Sequence, residues 1–235
     1  WHIWCLLPFG APWRGAIVAM CTLAFLTLFL NFSRLIDRLP LGLASACYET
    51  GNSSIFILLY TVMAFLLLDI GRLAHVVPRS WLHANGYTAA ALLALMAVTF
   101  TYGYFNYRHK VRQPLELATA KDIGRDMKVV MSDLHLGYHN RRKELARWVD
   151  MVNAERPDLI LIAGDIVDGR LRPLEEEGMA DELRRLNAPV LACPGNHEYI
   201  GGMAEAERFM AEAGITLLRD SVATVGGLCV IGRDD

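Results

Sequence analysis

The sequence predicts two unlike parts in one chain: an N-terminal multi-pass α-helical membrane region, and after it an α/β domain of layered helices and sheet. Three observations predict this. Three apolar stretches, each near the ~20 residues that a helix needs to cross a ~30 Å hydrocarbon core, all precede residue 113. Charge divides at the same place: residues 1–113 hold eight Lys/Arg against three Asp/Glu, and the remainder fifteen against twenty-two, so a formal net of −2 conceals halves of +5 and −7. Beyond residue 126, short β-rich runs alternate with helical patterns of ten or more residues, the order expected of an α/β layered fold.

The membrane spans are expected at about residues 16–32, 55–77 and 87–107. With 54% apolar residues overall, and almost no polar face on these three runs, a soluble helical bundle is a poor account of them. Asp69, late in the second run, lies three residues before Arg72. The two would share a helix face and could reach the interface together. Residue 1 is Trp, and Ile3 to Phe9 reads as the tail of an apolar segment, so we expect a fragment lacking one further membrane helix. The loop after the first span (Arg34, Arg38) and the segment after the third (Arg108, Lys110, Arg112) fall on one side, against Arg14, Arg72 and Arg79 on the other. The positive-inside rule therefore leans toward a cytoplasmic second half in an integral, multi-pass protein. Cys5, Cys21, Cys47, Cys193 and Cys229 are odd in number and scattered, which gives neither a disulfide framework nor a zinc spacing.

Residues 114–125 are mixed and polar and read as a linker, leaving 1–113 as the membrane region and 126–235 as the second domain. Met127 to Met131 reads as a first strand. Arg141 to Glu155 follows with helical spacing, placing Leu145, Trp148, Val149 and Val152 on one face. Asp158 to Ala163 is an apolar run suited to a buried strand. Glu175 to Leu186 reads as a helix whose glutamates favour its positive end, Pro189 to Cys193 as a strand, and Met203 to Ala213 as a helix ended by Gly214. Ile215 to Leu218 and Leu228 to Ile231 would be further strands.

Three strings stand at the ends of the first three strands: Ser132-Asp133-Leu134-His135-Leu136-Gly137, Gly164-Asp165-Ile166-Val167-Asp168 and Gly195-Asn196-His197-Glu198. In open α/β sheets the ligand site lies at the carboxyl ends of the strands. Hydrolysis of a phosphate ester calls for concentrated positive charge and an activated water, which two divalent cations ~3.5–4 Å apart supply together. Asp133 and His135 alternate on an extended segment, leave the same face, and could grip one cation. Asp165, turned tightly by Gly164, is placed to bridge both, and the Asn196 amide oxygen would serve the second. His197 is then free to protonate the leaving oxygen or stabilise growing charge, with Asp168 fixing its tautomer. Mixed carboxylate and imidazole donors point to Mn, Fe or Zn. The cluster His139, Asn140, Arg141, Arg142 and Lys143 could bind an anionic head group or simply start a helix. No basic patch interleaved with aromatics suggests nucleic acid.

These strings resemble the calcineurin-like metallophosphoesterases, whose pattern runs Asp-x-His, Gly-Asp, Gly-Asn-His-Asp/Glu, then a further His and Gly-His-x-His. The resemblance covers about residues 126 to 235 and implies that Asp133 and His135 bind the first metal, Asp165 bridges, Asn196 binds the second, His197 is the catalytic histidine and Asp168 supports it. Gly232-Arg233-Asp234-Asp235 is similar to a Gly-x-Asp-Asp string of the membrane-attached subgroup. Histidines stand at 2, 75, 83, 109, 135, 139 and 197, so the later His blocks are missing. The sequence thus reads as the front part of such a domain, truncated, and the fragment itself is expected to be inactive. The expected function is a membrane-anchored hydrolase of a phosphoester or pyrophosphate bond, with the lipid bilayer and a phosphate-containing substrate as partners. A lipid-linked substrate such as UDP-diacylglucosamine, in lipid A biosynthesis, is one candidate by family and location. Two readings stand beside it: a phosphodiesterase or phosphatase of soluble substrates, and a non-catalytic membrane sensor with a degenerate domain.

Overall fold

A computed structural model describes residues 1–118 and 128–234, with 129–132 described by backbone alone. The chain separates into two compact units, Trp1–Glu116 and Leu117–Asp235.

The first unit is helical: α1 (His2–Leu6), α2 (Ala11–Leu26), α3 (Leu28–Asn31), α4 (Leu41–Leu73) and α5 (Gly86–Arg108), with single 3-10 turns at Ile36–Arg38 and Arg79–Leu82. Three stretches, Ala11–Asn31, Leu41–Leu73 and Gly86–Arg108, are long and apolar enough to cross a membrane. The 33 residues of α4 would extend about 50 Å at 1.5 Å per residue, well beyond a ~30 Å core. Its extra length is the first half, which carries Glu49, Asn52, Ser53 and Ser54 and so escapes a search for apolar runs. At the other end α4 stops at Leu73, short of the expected Val77. His75 takes a positive φ of 61°, and the amides of Val76 and Val77 turn back to donate to the Gly71 carbonyl.

Gly51 sets how closely the α2–α3 segment approaches α4. A Cβ on Gly51 would lie 2.5 Å from the Leu28 amide nitrogen and 2.6 Å from Leu28 Cα, so the two backbones touch where small residues permit it. One turn away, Asn31 Nδ2 donates to Asn52 Oδ1 at 3.2 Å. Asp69 lies 3.2 Å from His2 Nε2 and 4.0 Å from Arg72 Nε, so the imidazole of α1 is the nearer partner than the arginine expected from spacing. The Asn85 side chain accepts from the amides of Tyr87 and Thr88 and caps α5, as an N-cap asparagine does.

The second unit is an α/β layer structure. Four parallel strands, β1 (Val129–Ser132), β2 (Leu159–Ala163), β3 (Val190–Cys193) and β4 (Thr216–Leu217), pair in sequence order. Between them run α6 (Arg142–Ala154), α7 (Arg172–Glu176), α8 (Met179–Leu183), α9 (Asn196–Gly201) and α10 (Met203–Glu212). An antiparallel hairpin, β5 (Ser221–Val225) and β6 (Leu228–Gly232), follows. The period-2 alternation of β2 divides its side chains between two layers. Ile160 and Ile162 join Leu145, Val149, Leu183, Phe209 and Met210 against the helices, whereas Leu159 and Leu161 pack with Leu191, Leu218 and the hairpin's Ala223, Val225 and Val230. The parallel register aligns Ser132 with Ile162 and Ala163 with Cys193, so the first three strands end along one edge.

Several expected elements differ in detail. The helix expected over 175–186 is two short helices. Gly178, at φ 62°, turns the chain between α7 and α8, so Glu175 and Glu176 close the five-residue α7 rather than opening a long helix. Neither β5 nor α9 was expected. The linker expected over 114–125 lies partly outside the described residues, as do Met127 of the first expected strand and Asp235 of the Gly-x-Asp-Asp string.

Candidate metal centre

The three strand-end strings meet at one edge of the sheet. Backbone hydrogen bonds tie the first to the second: the amides of His135 and Leu136 donate to the carbonyls of Asp165 and Ile166, both at 2.8 Å, and the Asp168 amide donates to Leu136 at 2.7 Å. This pairing forces His135 and Asp165 into the left-handed region, at φ 44° and 49°. Such conformations cost a non-glycine residue of order 1–3 kcal/mol. The adjacent Leu136 and Ile166 are wholly buried, and burial of each side chain contributes about 1.5–3 kcal/mol. Packing therefore outweighs the strain and holds two polar side chains out of the core.

Glycine is required where the second and third strings cross. Gly164, at φ 85°, would bring a Cβ within 2.9 Å of Gly195 Cα, and a Cβ on Gly195 would sit 2.4 Å from Asp165 Oδ1. With both positions bare, the Asp165 carboxylate reaches the start of α9, where its Oδ1 accepts from the His197 amide at 3.1 Å. Its Oδ2 lies 3.8 Å from His135 Nε2.

Around this carboxylate the remaining groups converge. His135 Nε2 stands 3.3 Å from Asp133 Oδ1, while its Nδ1 lies 3.8 Å from Asp168 Oδ1. The same Asp168 oxygen is 3.0 Å from His197 Nδ1. The rings of His135 and His197 meet edge to face, with centroids 4.7 Å apart. Ligand atoms of His135, Asp165 and His197 all lie within 4.8 Å of one another, and all three residues are partly buried. Asp133 is exposed, and Asn196 is the exposed first residue of α9. Carboxylate oxygens and imidazole nitrogens this close form a donor set that fits a divalent cation.

A calcineurin-like phosphoesterase profile matches residues 129–230. The second half is a calcineurin-like metallophosphoesterase domain. Among its relatives are a Caenorhabditis elegans protein with a provisional metallophosphoesterase name, 41% identical over 113 residues, which are 45% of this chain and 23% of that one. An uncharacterized metallophosphoesterase of Aquifex aeolicus is 34% identical over 116 residues, 48% of this chain and 44% of its own. A Danio rerio transmembrane protein with a metallophosphoesterase domain is 30% identical over 200 residues, 75% of this chain and 45% of its own. The matched region thus spans less than half the length of each of these relatives, and the Danio rerio match extends into the helical half.

Two polar residues of this metallophosphoesterase domain escaped the sequence reading. Asn140, counted above in a basic cluster, is buried, and its Nδ2 donates to the carbonyls of Leu134 and His135 at 3.2 and 3.0 Å. Glu198, the fourth letter of the third string, is wholly buried and accepts three main-chain hydrogen bonds. Glu198 is visible as a letter of the family pattern but its role is not, and Asn140 has no signal at all, because a polar side chain that serves backbone groups elsewhere leaves no spacing pattern. The basic cluster itself is structural at its centre. Arg141 bonds Glu177, with Nε 2.7 Å from Oε1, while the guanidinium of Arg142 bonds Glu182 and its amide donates to Glu177. Arg185 and then Arg142 hold the Glu182 carboxyl below the usual carboxylate range.

Proposed function

We propose that the protein is a membrane-anchored, metal-dependent hydrolase of a phosphoester or pyrophosphate bond. The observation that carries the reading is the convergence of His135, Asp165 and His197 ligand atoms within 4.8 Å, on loops that hold two of the three in left-handed conformations. In this reading Asp133 and His135 would hold one divalent ion and Asn196 a second, with Asp165 shared between them. Bound Mn, Fe or Zn ions supply Lewis acidity toward the phosphoryl oxygens and a water of lowered pKa.

The remaining work falls to the protein. His197 directs Nδ1 at Asp168, 3.0 Å away, so the proton on Nδ1 is held there. This leaves Nε2 as the atom that gives a proton to the leaving oxygen or donates to a phosphoryl oxygen. Asp168 acts by fixing that tautomer and ring orientation. The His197 amide, which donates to the Asp165 carboxylate, and the buried Glu198, which accepts from the Asp165 amide, keep that carboxylate in place before substrate arrives, which is the preorganisation that catalysis by positioning needs.

The helical half supports a substrate at or in the bilayer, for which a lipid-linked phosphate or pyrophosphate, UDP-diacylglucosamine being one, is the natural class. The Danio rerio relative, a transmembrane protein with a metallophosphoesterase domain, supports the same joint architecture. The basic flanks Arg34, Arg38, Arg108, Lys110 and Arg112 support a cytoplasmic position for the domain. The test is turnover by the purified full-length protein in detergent with Mn2+, on a soluble phosphodiester and on a lipid-linked pyrophosphate. Preference for the lipid is expected, and equal rates would remove it from the proposal. His197→Ala should lower turnover by about 10²–10⁴-fold with metal content near normal, whereas Asp165→Ala should lose metal as well. An Asp165→Ala protein with unchanged metal and rate would refute the site.

A further inference from the structure

Among the described residues of the domain, Glu198 is the one carboxylate with no exposure at all. Its Oε2 accepts from the amides of Gly195 at 2.8 Å and Asp165 at 3.1 Å, and its Oε1 from the amide of Val167 at 2.9 Å. A residue that merely capped α9 would need only the Gly195 bond, the reciprocal half of a capping box. The other two bonds reach back 33 and 31 residues to the loop after β2. They fall on Asp165 itself and on the residue before Asp168.

A buried carboxylate is costly unless its oxygens are satisfied, and here both are, by main-chain amides of two different loops. The two loops also cross too closely to admit a side chain, since a Cβ on Gly164 would lie 2.9 Å from Gly195 Cα. Glu198 therefore fixes the distance between the loop that bears Asp165 and Asp168 and the loop that bears Asn196 and His197. The first string is fastened to the same assembly, because the His135 amide donates to the Asp165 carbonyl and Asn140 holds the His135 carbonyl. All six site residues thus hang from one framework with Glu198 at its centre.

We infer that Glu198 is a positioning residue that sets the affinity of this centre for divalent metal, by holding the Asp165 loop at a fixed distance from the start of α9. The inference rests on the functional reading above. A shorter or less accepting side chain at 198 relaxes that distance and weakens metal binding while the domain stays folded. Gln keeps the volume but presents an NH2 donor toward an amide donor, so at least one of the three bonds becomes a repulsion. Asp keeps both acceptors but is one methylene short of bridging the loops.

The experiment titrates Mn2+ alone into the purified full chain in detergent, for wild type, Glu198→Gln and Glu198→Asp, following free Mn2+ by electron paramagnetic resonance. The folded fraction of each is measured by circular dichroism. Removal of groups that orient metal ligands costs on the order of 10–100-fold in affinity, and a weakening of that size at full folded amplitude is expected for both variants. A merely structural Glu198 would instead give fewer binding sites at the wild-type dissociation constant. That result overturns the inference, as does unchanged affinity, and failure of both variants to fold assigns Glu198 to stability alone and overturns it too. Wild-type protein that takes up no Mn2+ would sink the proposed function itself, a distinct outcome.

Discussion

Alanine at Gly195 offers a sharp test of how the centre is built. Gly195 has φ −120° and ψ 179°, an extended conformation that alanine adopts freely, so the substitution acts by contact alone. The new methyl carbon would lie 2.4 Å from Asp165 Oδ1 and 2.7 Å from the Asp165 amide. Ordinary contact begins near 3.4 Å, so the carboxylate or its loop must retreat by about 1 Å. Overpacking of this kind costs about 1–3 kcal/mol, a fraction of the roughly 5–15 kcal/mol that keeps a domain folded, so the variant should fold. A misplacement of about 1 Å in a catalytic group costs on the order of 10²-fold in rate. The assay is threefold: thermal unfolding, Mn2+ titration and turnover on one soluble diester. We expect a small loss of stability, weaker Mn2+ binding and about 10²-fold slower turnover. Wild-type Mn2+ affinity and rate in Gly195→Ala would refute the claim that the Gly164 and Gly195 contact sets the Asp165 position.

Two further outcomes follow from the packing. Gly51→Ala puts a methyl within 2.6 Å of the Leu28 backbone, and backbone cannot rotate away, so the helical unit should lose about 1–3 kcal/mol in detergent unfolding while Mn2+ uptake by the other unit stays unchanged. Glu182 is held below the usual carboxylate range by Arg185 and Arg142, so its stabilising contribution is present at neutral pH. It is lost as pH falls below the ordinary value of 4.5 through the lowered one. Urea unfolding of Glu182→Gln should therefore show lower stability than wild type at pH 7, and a difference that closes in acid; a constant offset at all pH values would contradict the assignment.

How much was legible in the sequence depends on whether a residue's role is local. Hydrophobic runs, strand-to-helix alternation and the three strings are local patterns, and each corresponds to an element near its expected place. The breaks are where one residue or a distant partner decides. Gly178 divides one expected helix into α7 and α8. The polar half of α4 is helical because it packs on α2 and α3 through Gly51, which no apolar window registers. Asp69 meets His2 from another helix rather than only Arg72 on its own. Arg141 and Arg142, which read as either a site for an anionic head group or the start of a helix, are engaged by Glu177 and Glu182 from a segment about forty residues away.

The sequence by itself determined the metallophosphoesterase family of the second half, because the three strings at strand ends are matters of residue type and order. It also determined the division into an apolar helical half and an α/β half, since both follow from period and composition. Only the tertiary structure decided how the donors meet: the left-handed turns at His135 and Asp165, the bare crossing of Gly164 and Gly195, and the buried carboxylate of Glu198 that ties two loops together. These are distances between segments some thirty residues apart along the chain. A distance of that kind is set by packing and by the need to satisfy buried polar groups, and no local pattern encodes it.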